Sequence, residues 1–300
     1  MIFSKPETTF RDHARLNAKL AGMQDAFAYC AELIRTADRD RFIASLFAPA
    51  ERRGALHALY AFNAEVARIR DVAHTALPGE IRLQWWSEVV NRERDEEARA
   101  NPVAAALLDT IERHGLASET FVDLIEARRF DLYDDPMATL ADLEAYAQRT
   151  SSSLIALAVQ VLAGVQAEAI AVSAGIASGI AGILRAFPAH SARRQLYVPA
   201  DLLERHQVHL HELFAGRSSA GLEAALAALR DVARGHLATA GERMTALPLE
   251  AIAALLPVAL VRPSLNRLER SPPFSPVEVS PWRRQWLIWR AARDPGRIAG

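Results

Sequence analysis

Apolar positions recur every three to four residues almost without interruption from Asp25 to Arg270. That is the period of one buried face on an α-helix. Alternation with period two, the mark of a half-buried strand, is scarce. The pattern predicts helices over about 25–35, 39–48, 50–74, 79–97, 102–114, 118–134, 139–164, 167–187, 200–206, 219–246, 249–269 and 282–292. The breaks have local causes. Pro49-Ala50-Glu51 opens a helix with an acid in its first turn, and Asn101-Pro102 places a capping side chain before a proline at the first helical position. Leu77-Pro78-Gly79 reads as a turn; Asp134-Asp135-Pro136 ends one helix and Thr139 caps the next. Pro188 lacks an amide hydrogen and is expected to stop the preceding helix near Phe187. The chain divides into an extension over 1–24, a helical domain over 25–270, a proline-rich linker SPPFSPVEVSP over 271–281, and a terminal amphipathic helix with its tail over 282–300. The expected fold class is all-α, with one helical domain.

Composition narrows the function. A chain of 300 residues, 51% hydrophobic, supplies a sizeable core. The formal net charge of −1 gives no overall attraction to nucleic acid. Cys30 is alone, which excludes an intrachain disulfide and fits a reducing compartment. The first twenty residues lack the apolar centre of a secretory signal, and no apolar run approaches the length that spans a bilayer. A cytoplasmic protein is expected. Trp282, Trp286 and Trp289, on a helix with Arg283, Arg284 and Arg290, leave open a peripheral contact with the inner membrane or a partner, beside simple packing on the core.

Candidate chemistry sits on two segments. On the helix over 50–74, Leu56, Tyr60, Asn63, Ala67 and Asp71 share one side. Two aspartates four apart on such a face would hold Mg²⁺ against a diphosphate. Here the upper position is Ala67, and Arg68 and Arg70 crowd Asp71, so an ion pair or a hydrogen bond to the chain after the helix is the expected role of Asp71. The second segment, GILRAFPAHSARRQLYVP over 182–199, carries Arg185, Arg193, Arg194 and Tyr197 with no acid between Arg185 and Tyr197. These arginines either clamp an anionic head group or pair with Glu65, Asp71, Glu80 and Asp131 across helices. Gly175, Gly179, Gly182 and Ala186 form a small-residue stripe that allows close helix packing or leaves room for a ligand. His206, His209 and His211 have no further ligand at zinc spacing. No nucleophile–base triad, P-loop or dinucleotide fingerprint is present.

Three stretches in order, DRDRFIASLFAPAERRGALHALYAFNAEVARIRD, GEIRLQWW and GILRAFPAHSARRQLYVP, resemble the squalene/phytoene synthase family over roughly 28–295. The resemblance implies the isoprenoid synthase fold around a central cavity. It also implies head-to-head joining of two prenyl diphosphates, with Mg²⁺ on two aspartate-rich motifs. The first motif falls on 67, 68 and 71, where only Asp71 matches. In the second, Arg185 matches, but the acidic positions are Ala186, Ala189 and His190; Arg193 or Arg194, Tyr197 and Pro199 keep the frame. Ser152 and Ile155 stand where the synthases are implied to carry tunnel-lining glycines. These departures resemble the family's non-catalytic branch, which includes a mitochondrial assembly factor of respiratory complex I. The resemblance therefore implies a protein without turnover, acting in complex I biogenesis through a protein or lipid partner. Complex I subunits or other assembly proteins are the implied partners, and nucleic acid is not. No cofactor or metal is expected. A Mg²⁺-dependent prenyl diphosphate synthase, and an isoprenoid or anionic-lipid binder without turnover, are the alternatives. The site candidates are Arg68, Asp71, Arg185, Arg193, Arg194 and Tyr197 for an anion, and Tyr60, Asn63, Ala67, Ser152, Ile155, Gly179 and Ala186 for the cavity wall.

Overall fold

The computed structural model describes residues 8–300 except His74, with side chains from Gly22 onward except those of His74 and Thr245. Residues 1–7 of the N-terminal extension lie outside the described residues. Among the described residues there are helices and turns and no strand. The long helix Thr8–Ala37 packs on helices Ala50–Ala67 and Pro102–His114. Helix Ser153–Ala163 bridges from Ala50–Ala67 to the long helix Glu168–Ala192, which lies along Ala220–Arg243. At the centre, Phe62 meets Trp86 and Phe121 edge-on at centroid distances of 5.2 and 5.5 Å. Trp86 is buried; its neighbour Trp85 is only half-buried and donates its indole N–H to Glu97 at 2.9 Å.

The capping signals act as their chemistry requires. The Asn101 side chain accepts from the amides of Val103 and Ala104 at 2.9 and 3.0 Å, with Pro102 at the first helical position. Thr139 and Asp142 form a reciprocal capping box.

Six expectations are corrected. Leu77-Pro78-Gly79 is not a turn but lies inside helix Ala76–Val90, and the helix expected over 79–97 ends at Val90, with Asp95–Ala100 a separate helix. The first helix begins at Thr8, well before residue 25. The helix expected over 50–74 breaks at Arg68 into Ala50–Ala67 and Ile69–Val72. A π-helical turn, Gln148–Ser152, interrupts the segment expected as one helix over 139–164. Pro188 does not stop its helix, which runs on to Ala192 with the proline inside. Packing against Ala220–Arg243 supports that long helix, and this tertiary contact overrides the local penalty of the ring. The expectation that no apolar run reaches bilayer length is corrected as well. Glu168–Ala192 and the composite segment Leu249–Glu269 are long and apolar enough to cross a membrane, but 67% of each apolar window is buried in the fold. They are core segments of this domain.

Candidate functional site

Two adjacent hollows, which share part of their walls, form the lobes of the central cavity. The first, about 320 Å³, lies between Asn63, Ala67 and Asp71 on one side and Gly179, Arg185 and Tyr197 on the other. The second, about 420 Å³, lies between Asp38–Arg41 and the stretch from Ala254 to Ser264, with Arg284 of the terminal helix on its wall. Arg41, Ser151, Ser178, Gly182 and Arg185 border both. The π turn brings Thr150 and Ser151 to the wall, a placement common for such bulges. The small-residue stripe divides its work. A Cβ at Gly175 would overlap the backbone of Ser152, and one at Gly179 would meet Ala147 Cβ at 2.9 Å, so these two positions permit close packing. A Cβ at Gly182 would meet nothing within 4 Å, so that position leaves open space in the cavity.

Asp131 organises the floor of the first lobe. Its carboxylate is buried and accepts from the hydroxyls of Tyr146 and Tyr197 at 2.7 and 2.6 Å and from Arg128 at 3.2 Å. Arg128 also donates to the Tyr146 hydroxyl at 2.8 Å. Gln195 donates to the Tyr197 hydroxyl at 2.8 Å and to the Asp131 carbonyl at 3.1 Å. Burial above all, aided by the Asp131 charge and opposed by Arg128, holds both tyrosines well above the ordinary phenol range. Two buried polar atoms on this floor lack a partner: Arg128 Nε and His190 Nδ1. Burial, and then the Arg193 charge, lower the His190 pKa to about 4, so its ring is neutral near pH 7. It lies against the Tyr197 ring at 4.6 Å.

Ion pairs consume most of the cavity's other charges. Asp71 is held by Arg193 at 2.5 Å, and Arg70 reaches Asp134 at 2.9 Å. Asp38 pairs with Arg41, and Asp40 with Arg284, tying the terminal helix to the second lobe. Arg185 differs. Among the described residues it makes no ion pair or side-chain hydrogen bond, although it borders both lobes. Its side chain is exposed beside the two lobes. Desolvation and the nearby Arg284 charge lower its pKa, and Asp40 and Asp38 oppose them.

Of the residues the sequence nominated, Asn63, Ala67, Asp71, Gly179, Arg185, Arg193 and Tyr197 line the first lobe, and Ile155 lines the second. The others stand elsewhere. Arg68 is exposed at the helix break. Arg194, in a left-handed conformation with φ 59°, turns away to stack its guanidinium 4.9 Å from the Phe214 ring. Tyr60 is buried under Arg41, whose guanidinium lies 5.6 Å from its ring. Ser152 is buried and donates to the Val172 carbonyl at 3.0 Å. Ala186 is half-buried outside the lining. Sequence reasoning did not nominate Arg41, Arg128, Tyr146, Thr150 or Gln195. Arg41 and Gln195 lay within stretches quoted for the family resemblance; the others had no signal beyond their side-chain chemistry.

The match to the family model for squalene/phytoene synthase runs over residues 34–290, most of the described chain. The chain belongs to the squalene/phytoene synthase family. The rat protein named NADH dehydrogenase (ubiquinone) complex I, assembly factor 6, is 32% identical over 251 residues, which span 83% of this chain and 75% of that protein. The human protein of the same name is 30% identical, over 81% and 73%. A crystal structure of a dehydrosqualene synthase in complex with ligand superposes with a TM-score of 0.78 at 19% identity, covering 92% of this chain and 98% of that one. The fold is therefore the isoprenoid synthase fold, as expected.

The squalene/phytoene synthase fold implies Mg²⁺, and the residues here do not fit it. The four motif positions are Ala67, Asp71, Ala186 and His190. Pro188 presents no obstacle to them, since 186 and 190 lie in one helix; the obstacle is chemical. Mg²⁺ requires oxygen donors in near-octahedral order. Asp71 is already engaged by Arg193, His190 offers only nitrogen, and both Asp131 oxygens accept from neighbours. Among the described residues no three His, Cys, Asp or Glu side chains gather as a ligand set.

Proposed function

We propose that this chain is a non-catalytic member of the squalene/phytoene synthase family that serves assembly of respiratory complex I, keeping the ancestral cavity as an anion-binding pocket without turnover. The observation that carries the reading is the Asp71–Arg193 pair. An arginine occupies the carboxylate that would otherwise recruit a metal, while Arg185 in the same cavity remains without an acid partner. Ionising a prenyl diphosphate needs cations on the leaving group, and fixed guanidinium groups bind a phosphate without supplying that Lewis acidity. The names of the rat and human relatives support the biological half of the reading. The partner follows from those names: complex I subunits or fellow assembly proteins.

The test is genetic, with a chemical control. Deleting the gene in its own organism is expected to lower the amount of assembled complex I in membranes, read on native gels and as NADH:quinone activity. Both the wild-type gene and an Asp71→Ala version are expected to restore it. Unchanged complex I after deletion would overturn the assembly role. Loss of rescue by Asp71→Ala, together with Mg²⁺-dependent conversion of farnesyl or geranylgeranyl diphosphate by the purified protein, would establish a synthase instead.

A further inference from the structure

Away from the central cavity lies a second basic hollow, a groove of about 520 Å³ between helix Val261–Glu269, helix Pro281–Arg293 and the chain after it. Six arginines line it and no aspartate or glutamate does. Two of the six are spent locally: Arg262 donates to the Ala299 carbonyl at 2.6 Å, and Arg297 pairs with Asp294 at 2.6 Å. The other four, Arg267, Arg270, Arg283 and Arg290, make no ion pair among the described residues, and Gly300 at the groove's edge makes none with them. The nearby Glu269 is held by Arg234 at 2.6 Å. Four unneutralised guanidinium groups around one hollow repel each other until an anion enters. Their planar forks match phosphate oxygens bidentately.

Beside the groove, the terminal helix presents an aromatic stripe. Trp282, Trp286 and Trp289 are 82%, 49% and 43% exposed, while Ile288 and Ala291 of the same helix are buried against the core. The tryptophans recur at the spacing of one helical stripe. Arg283, Leu287 and Arg290, which line the groove, form the next stripe, about 100° round the helix. Indole rings pointing outward beside arginines are the chemistry of the bilayer interface, where the ring sits among head groups and the cation meets phosphate. Stacking on nucleic-acid bases fits less well. Guanidinium groups already cover Trp286 and Trp289, Arg290 at 4.9 Å and Arg293 at 4.3 Å.

We propose that this face docks on an anionic phospholipid bilayer, with the groove taking a lipid phosphate and the three tryptophans seated at the head-group level. The inference concerns a surface outside the cavity and does not rest on the assembly reading. It is tested by co-sedimenting the full chain with vesicles of phosphatidylcholine alone and of phosphatidylcholine mixed with phosphatidylglycerol. The wild type is expected to pellet with the anionic vesicles and to release as salt rises. The triple variant Arg267→Glu, Arg270→Glu, Arg283→Glu is expected to lose binding by about tenfold or more. Trp282→Ala, at a position too exposed to affect folding, is expected to weaken binding severalfold with an unchanged circular dichroism spectrum. Equal binding to neutral vesicles, no binding to anionic ones, or wild-type binding by the triple variant would each overturn the proposal. Tight binding of inorganic phosphate by a protein that ignores vesicles would assign the groove to a soluble phosphate, and so would overturn it as well.

Discussion

The central cavity and the groove beside the terminal helix are both rich in arginine, and they use it differently. In the cavity, Arg41, Arg70, Arg128, Arg193 and Arg284 each meet a carboxylate from another turn or another helix. In the groove, five of six arginines meet none among the described residues. Three of the cavity pairs, Arg70–Asp134, Arg193–Asp71 and Arg284–Asp40, join segments distant in sequence, and the other two are local. Unpaired arginines hold positive potential ready for something outside the protein. Arg185 is the cavity's exception, resembling a groove arginine set among fastened ones. On the non-catalytic reading proposed above, the acids left in the cavity serve as anchors for arginines.

The strongest way to break this comparison is Asp131→Ala. It would leave Arg128 buried without its counter-charge and two tyrosine hydroxyls without their acceptor. Removing one partner from a buried, hydrogen-bonded charge cluster costs about 3–5 kcal/mol. Arg270→Ala in the groove, exposed and unpaired, is expected to change stability by less than about 0.5 kcal/mol. Urea unfolding of both variants measures the difference. Similar midpoints would mean that the buried cluster does not fasten the fold as described.

Helices were readable from the apolar period, because burial on one face leaves a strong mark, and Asn101-Pro102 and Thr139 marked ends that packing then respected. The breaks at Arg68 and at Gln148–Ser152 were not readable, since neither disturbs the period by more than a residue. Pro188 misled for the opposite reason: a strong local signal was overruled by contacts distant in sequence. The site was half legible. Asp71, Arg185, Arg193 and Tyr197 share two short segments whose spacing points to phosphate chemistry. Arg41, Arg128 and Tyr146 come from segments that only the fold brings together, and Gln195 lies in one of the two legible segments without a side chain that marks it. Adjacent arginines were also hard to separate. Successive residues on a helix point about 100° apart, and at its end Arg193 meets Asp71 while Arg194 turns to Phe214.

Acid sharpens the contrast next, because His190 lines the cavity and no histidine lines the groove. Its folded pKa, about 4, lies below the ordinary 6.5. As pH falls through about 6.5 the unfolded chain takes up a proton that the folded chain refuses. The stabilisation is complete above that pH and is lost progressively toward pH 4. The loss from this side chain is on the order of 1–3 kcal/mol. His57, also near 4 through burial and the Arg53 charge, adds a similar decline away from the cavity. Glu65, whose carboxyl is raised by burial, works in the opposite direction. Comparing wild type with His190→Gln cancels both background effects. The variant's melting temperature is expected to fall less between pH 7 and pH 4.5, and parallel curves would remove His190 from the account.

The smallest effect on stability tests the cavity's anion-binding role most directly. Asp71 and Arg193 are about half exposed, with side-chain exposures of 55% and 48%, although they span 122 residues of sequence. Exposed pairs contribute roughly 0–1 kcal/mol, so Asp71→Ala is expected to leave the unfolding midpoint nearly unchanged. Its electrostatic consequence is larger than its structural one. Without the carboxylate, Arg193 joins Arg185 as a free cation on the wall of the same lobe. Two unpaired guanidinium groups and a neutral His190 favour an entering phosphate more than one does. Pyrophosphate titrated calorimetrically, without added metal, is expected to bind Asp71→Ala several-fold more tightly than wild type. If Asp71 were instead a metal ligand, removing it would weaken pyrophosphate binding in the presence of Mg²⁺ and leave metal-free binding unimproved. That pattern would return the cavity to the catalytic branch of its family.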